Sequence, residues 1–289
     1  KFDGATLFLQ KTGKVIREYL YNDTEQAYTS NAVSITSNHL VSGVDDTTTL
    51  LGTNERPEQY AFFVNSDGTV AVFTSVRSEE VAGWVQWNTN GTYISMTYAG
   101  SELFALVKRT INSVDVYWLE KFDWDVTMDA VIQDTAAAKT SWAAAHLPNT
   151  LVEATTNQNA QYLAEFTTNG SGAITTEESV TNIEIGLDFT LEIETMPVDA
   201  SIGRRGSITG EKKRISRVVA SILGTQTLNL AGNELILTQA AQDFSNPPAE
   251  TEGEFQFFML GWSGDPTVVV TQTVPLPLSL RGLYLEVTT

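Results

Sequence analysis

The sequence predicts an all-β fold, and three observations predict it. Residues 183 to 194, IEIGLDFTLEIE, place apolar side chains at every odd position from Ile183 to Ile193, which is the period-two signature of a strand with one face in a core. Short turns rich in residues that tolerate positive φ separate apolar runs elsewhere, among them KTGK at 11 to 14, NSDG at 65 to 68, NTNG at 88 to 91 and AGS at 99 to 101. A single stretch carries a helix signature, so strands must build nearly everything else.

Taken in order, the first strands are LFLQ at 7 to 10, VIREYLY at 15 to 21, YAFFV at 60 to 64 and TVAVFTSV at 69 to 76. WVQW at 84 to 87, TYISMTY at 92 to 98, LFALV at 103 to 107 and VDVYWL at 114 to 119 continue a meander. A weak repeat runs through it. LFLQKTGKVI at 7 to 16 aligns with FFVNSDGTVA at 62 to 71, and DTEQA aligns with SEEVA at the same offset of 55 (Gly13 onto Gly68). Four-stranded units with such turns point to β-propeller hairpins over 1 to 122. Two blades cannot close a ring, so either sequence is missing upstream or 30 to 58 is an insertion between blades. The chain opens on Lys1 without an initiator Met or leader, which is expected of a piece of a longer protein.

The helix signature is DTAAAKTSWAAAH at 134 to 146, where Asp134 can cap an alanine-rich run and Pro148 follows its end. The expectation is one short connector helix, followed by small strands, within a region spanning 123 to 186. From 187 to 289, runs at 183 to 195, 213 to 223, 233 to 238, 254 to 260, 267 to 273 and 280 to 288 predict a C-terminal β-sandwich.

Composition narrows the function. Of 289 residues 42% are hydrophobic, ample for a core. A formal net charge of -18 argues against a general nucleic-acid or anionic-membrane binder, because neutralising phosphates needs clustered Lys and Arg. The absence of cysteine excludes disulfides, thiolate zinc sites and cysteine nucleophiles. No apolar run approaches the roughly 20 residues of a membrane span, so no membrane insertion by this chain is expected.

Catalytic constellations are sought and not found. His39 and His146 form no local ligand pattern. GWSGD at 261 to 265 fails as a nucleophile elbow at Asp265, and GSITG at 206 to 210 fails on spacing. DWDVTMD at 123 to 129 lacks the glycine and closing glutamate of a calcium loop, and NGSG at 169 to 172 lacks the helix of a dinucleotide loop. The expectation is no catalytic residue, no cofactor and no metal. Two acids at the right separation would suffice for a glycosidase, but 35 acidic residues do not single out a pair.

Charge placement gives the one residue-level expectation. Even positions of 183 to 194 carry Glu184, Asp188, Glu192 and Glu194, a row of like charges on one strand face. Arg204, Arg205, Lys212, Lys213, Arg214 and Arg217 concentrate positive charge just downstream. A connected antiparallel pair would set Arg214 or Arg217 against Glu192 or Glu194 as a charge ladder at an interface. A metal site is disfavoured, since regularly alternating carboxylates on a straight strand diverge from the convergent oxygen cage that calcium needs.

A family resemblance then appears. ATLFLQKTGKVIREYLYNDTEQAYTSN, SITSNHL at 34 to 40 and YAFFVNSDGTVAVFTSVRSEEVAGWVQW resemble the propeller hairpins of the tail nozzle (tail tubular protein B-like) proteins of short-tailed bacteriophages. LFALVKRTINSVDVYWLEKFD continues it, and GRRGSITGEKKRISRVVASI at 203 to 222 and PTVVVTQTVPLPLSLRGLYLEV at 266 to 287 are similar to that family's platform region, in the same order. The resemblance implies a structural virion protein of the tail, a homo-hexameric tube between the portal-side adaptor and the tail fibres, assembled in the host cytoplasm. Viral DNA would pass through it without specific binding, and a channel lining that repels DNA is then a further reading of the acidic face of 183 to 194. The alternative is a propeller that binds or cleaves surface glycans, with Trp84, Trp87, Trp118 and Trp124 as stacking platforms.

Overall fold

The computed structural model describes residues 2–53, 57–156, 161–188, 190–199, 210–234 and 249–289. The chain divides into two compact units, Lys1–Asp125 and Val126–Thr289. Every sheet in both is antiparallel, and among the described residues the helical content is two three-residue 3-10 turns.

Among the described residues, the first unit holds ten strands. β1 (Thr6–Leu9), β2 (Ile16–Asn22) and β3 (Ala27–Ala32) form one meander. β4 (Val44–Leu50), β5 (Gln59–Asn65), β6 (Val70–Val76) and β7 (Val81–Trp87) form a second, and β8 (Thr92–Ala99), β9 (Glu102–Ile111) and β10 (Val114–Lys121) a third. Alternation decides how they stack. On β5 and β6, Ala61, Phe63, Ala71 and Phe73 face Leu7, Leu9 and Ile16 of the first meander. The intervening Phe62, Val64, Val70 and Val72 face Met96, Leu103, Ala105 and Val107 of the third. The middle meander is therefore apolar on both faces, as YAFFV and TVAVF require, and is covered on both. Each large side chain buried this way contributes about 1.5 to 3 kcal/mol. Stacked successive meanders are how propeller blades pack.

The 55-residue repeat is visible in the turns. The N–H of Gly13 donates to the Gln10 carbonyl as that of Gly68 donates to Asn65, each at 2.8 to 2.9 Å, with φ of 71° and 85°. The stretch 30 to 58 is not an insertion between blades: it contains β4, the first strand of the middle sheet. AYTSNA and VDDTTTL, the sequences of β3 and β4, are too polar to alternate visibly.

The second unit begins with β11 (Asp129–Ala143), β12 (Leu151–Thr156), β13 (Gln161–Thr167) and β14 (Ala173–Leu187), ordered β11-β14-β12-β13. The connector helix expected at 134 to 146 is absent: those residues belong mainly to β11. Its physical reason is pairing. The long β14 runs antiparallel to β11 from Asp129↔Leu187 to Ala143↔Ala173, whereas a lone alanine-rich helix of 13 residues is marginal in water. Pairing also buries Trp142, 1% exposed, in a way no local propensity records.

The remaining strands are β15 (Leu191–Glu194), β16 (Arg214–Thr225), β17 (Asn229–Leu230), β18 (Asn233–Glu234), β19 (Thr251–Phe258), β20 (Val269–Gln272) and β21 (Leu280–Thr288). They make two sheets, β15-β20-β17-β18 and β19-β16-β21. Ile215, Val218, Ala220, Ile222 and Phe257 of one sheet share a core with Leu230 and Val270 of the other, giving a sandwich. The predicted strand at 233 to 238 is seen only as β18, since residues 235–248 lie outside the described residues.

Candidate functional site

IEIGLDFTLEIE is not one strand. Residues up to Leu187 end β14 in the four-stranded sheet, and Leu191–Glu194 form β15 in the sandwich. The first half keeps its expected apolar face, with Ile183, Ile185 and Leu187 each at most 2% exposed, whereas Ile193 is 41% exposed. The break distributes the predicted acidic row over two sheets.

The predicted ladder does not form. β15 pairs with β20, setting Glu192 opposite Thr271 and Glu194 opposite Val269. β16 pairs instead with β19 and β21, setting Arg214 opposite Thr288 and Arg217 opposite both Phe258 and Glu286. Arg217 Nε donates to Glu286 Oε2 at 2.9 Å, and Thr267 Oγ1 donates to Glu194 Oε1 at 2.8 Å. The reason is hydrophobic. β16 buries Ile215, Val218, Ala220 and Ile222 and fills the centre of a sheet, which requires a partner on each side; sequence neighbourhood gave β15 no claim on it. Arg204 and Arg205 lie outside the described residues.

Glu184 departs furthest from its expectation of a solvated charge. It is 7% exposed, accepts from Gln133 Nε2 at 2.7 Å, and is approached by Thr155 Oγ1 at 3.5 Å. It belongs to a buried acidic face that sequence reasoning missed. In register, β12 sets Glu153 opposite Gly186 on one side and opposite Glu165 on the other. Glu153 is 6% exposed. Tyr162 donates its hydroxyl to Glu153 Oε1 at 3.3 Å, and Oε2 has no hydrogen-bond partner among the described residues. Burial pushes the Glu153 carboxyl up to about 7, with the Asp188 charge adding to it, the Tyr162 hydroxyl opposing it and Glu165 adding again. Burial and the neighbouring Glu153 push the Tyr162 hydroxyl up to about 12, so it remains a neutral donor. The available signal was a lone carboxylate inside the strand run LVEATT, flanked by Val152 and Ala154.

The remaining motifs resolve into turns. Asp67 of NSDG accepts from the Thr69 hydroxyl at 2.7 Å and its N–H at 3.0 Å, and these bonds hold its carboxyl below the ordinary value. Asp123 accepts from the Asp125 N–H at 3.1 Å. Ser263 of GWSGD is exposed and accepts from the Asp265 N–H at 3.2 Å. His146 Nε2 meets the Ala130 carbonyl at 2.7 Å. Among the described residues no three His, Asp or Glu side chains converge as a metal site, and no helix is long and apolar enough to cross a membrane. Residues 206–209 of GSITG lie outside the described residues.

Two sheet faces of the first unit remain exposed. On the outside of the first meander Tyr19 stacks on Tyr28 with centroids 4.9 Å apart, Tyr21 meets Tyr28 edge-on at 5.2 Å, and Phe8 is exposed beside them. On the outside of the third, Tyr117 and Leu119 are 60% and 71% exposed, opposite Lys108 and Leu106. The tryptophans are mostly committed to packing. Trp84 stacks on Phe73 and donates to the Val33 carbonyl at 2.9 Å, and Trp87 stacks on Phe122 at 4.9 Å. Trp118 is half-buried, while Trp124, half exposed, packs against Phe122 and Tyr60. No protein-family model matches the chain, and no curated protein matches it.

Proposed function

We propose that this chain is a structural virion protein, a tail nozzle component that assembles as a homo-hexameric ring through which phage DNA leaves. The ordered sequence resemblance to tail nozzle proteins carries the reading. Two features of the molecule support it. The outer faces of the first and third meanders leave Phe8, Tyr19, Tyr21, Tyr28, Tyr117 and Leu119 in solvent, and apolar sheet faces of that kind are characteristic of surfaces covered in an assembly. A net charge of -18 repels phosphate, so a conduit of this composition lets DNA slide without holding it.

Its partners are further copies of itself, a portal-side adaptor and tail fibres. Negative-stain imaging and native mass spectrometry of the protein, alone and with its adaptor, test the proposal. Six-fold rings are expected; monomers at every concentration and with every partner would overturn it.

The exposed tyrosines favour a second reading, glycan recognition by ring stacking. Binding on a glycan array that is lost in Tyr19→Ala with Tyr28→Ala would promote it, as would depolymerisation of a host polysaccharide.

A further inference from the structure

The β12–β13 hairpin is attached to the rest of its sheet through β14 by three residue pairs: Glu153↔Gly186, Ala154↔Ile185 and Thr155↔Glu184. One of the three pairs therefore involves Glu153, a residue 6% exposed. Its Oε2 has no hydrogen-bond partner among the described residues, and its Oε1 receives one long bond from Tyr162. Burying a carboxylate without compensating donors is costly, and the group escapes the cost by keeping its proton.

Its neighbours sharpen the conflict. From β13 come Glu165, directly opposite in register, and Tyr162; from β14 come Glu184 and, just beyond the strand, Asp188. β11 contributes the neutral amide of Gln133, already donated to Glu184. Directly paired side chains have Cβ atoms about 4.5 to 5.5 Å apart, and like charges there are destabilising. A second weakness coincides with the first, because β12 and β13 change register between Ala154 and Thr155.

We propose that Glu153 is a proton-operated switch in the β12–β13 hairpin, seating the hairpin on β14 as the neutral acid and loosening it as the carboxylate. The inference is independent of the virion reading, since it concerns this hairpin alone. The carboxyl, raised from the ordinary 4.5 to about 7, holds its proton in mildly acid solution and loses it above neutrality. Because the folded value lies above the unfolded one, this stabilisation is complete below about 4.5 and is lost as pH rises through about 7.

The test is carboxyl-carbon NMR on the whole chain, with amide protection factors measured in parallel. Glu153 should titrate with a midpoint near 7, and Glu165→Gln and Asp188→Asn should each lower that midpoint. Protection of the β12–β13 amides should fall at least about tenfold between pH 5.5 and 8.5 in the wild-type chain and stay level in Glu153→Gln. A midpoint near 4.5, or an equal fall in Glu153→Gln, overturns the proposal. Should Glu153→Gln fail to fold, the wild-type chain decides: hairpin amide shifts must follow the Glu153 carboxyl through the same midpoint, and shifts that do not follow it refute the switch.

Discussion

Arg109 shows what a single side chain must do when a strand is covered. It is 1% exposed on the inner face of β9, and its guanidinium grips Glu120 through Nε and Nη2 at 2.6 and 2.7 Å while Nη1 donates to the Asn90 carbonyl at 2.7 Å. Removing one partner of such a pair strands a buried charge and costs about 3 to 5 kcal/mol, whereas replacing both with apolar groups is often close to neutral. Glu120→Ala should therefore lower the urea midpoint sharply, and Arg109→Met combined with Glu120→Leu should recover most of the loss; a double variant as weak as the single one would show that the ion pair itself is indispensable. Such residues are hard to read in advance. Arg109 continues the alternating buried positions Leu103, Ala105 and Val107 of β9, whereas Glu153 lies in a strand buried on both faces, where alternation gives no guidance; in neither case does a sequence state whether an inward polar side chain meets a counter-charge, as Arg109 does, or another acid, as Glu153 does.

At the scale of the element, pairing partners decide more than local pattern. The apolar positions of β5, β6 and β16 were legible because buried strands announce themselves by composition. The alanine-rich stretch inside β11 misled because its helix signals are local, whereas what fixes it is a partner some 15 residues long arriving later in the chain. The charge ladder failed for a related reason: Arg217 does have an acidic partner across a strand, but it is Glu286 on β21 and not Glu192 or Glu194 on β15. A charge-reversal cycle separates the two arrangements. Arg217→Glu should weaken the fold and Glu286→Arg should rescue it, with a coupling of about 0.2 to 1 kcal/mol that fades in high salt, as befits an exposed pair. Rescue by Glu194→Lys instead would refute the register of β16.

For the whole molecule, the all-β fold class was readable in the sequence, and the division of the chain at Asp125 lies close to the boundary expected at 122, whereas the boundary expected at 186 falls inside the second unit. Topology nevertheless separates the two units in time. Among the described residues, the strand pairings within β1 to β10 join only strands adjacent in sequence. In the second unit β11 waits for β14, β15 for β20 and β16 for β21, and the Arg217–Glu286 contact alone spans 69 residues. Chain closure over such distances lowers folding rates, and domains early in the chain complete first during synthesis. Stopped-flow refolding with a single tryptophan retained, Trp87 for the first unit or Trp142 for the second, should give a fast phase at Trp87 and a slower one at Trp142; equal rates would contradict this order. The early unit then stands folded while the later strands still search for their partners, and in that interval their unpaired edges are where the chain is most open to aggregation.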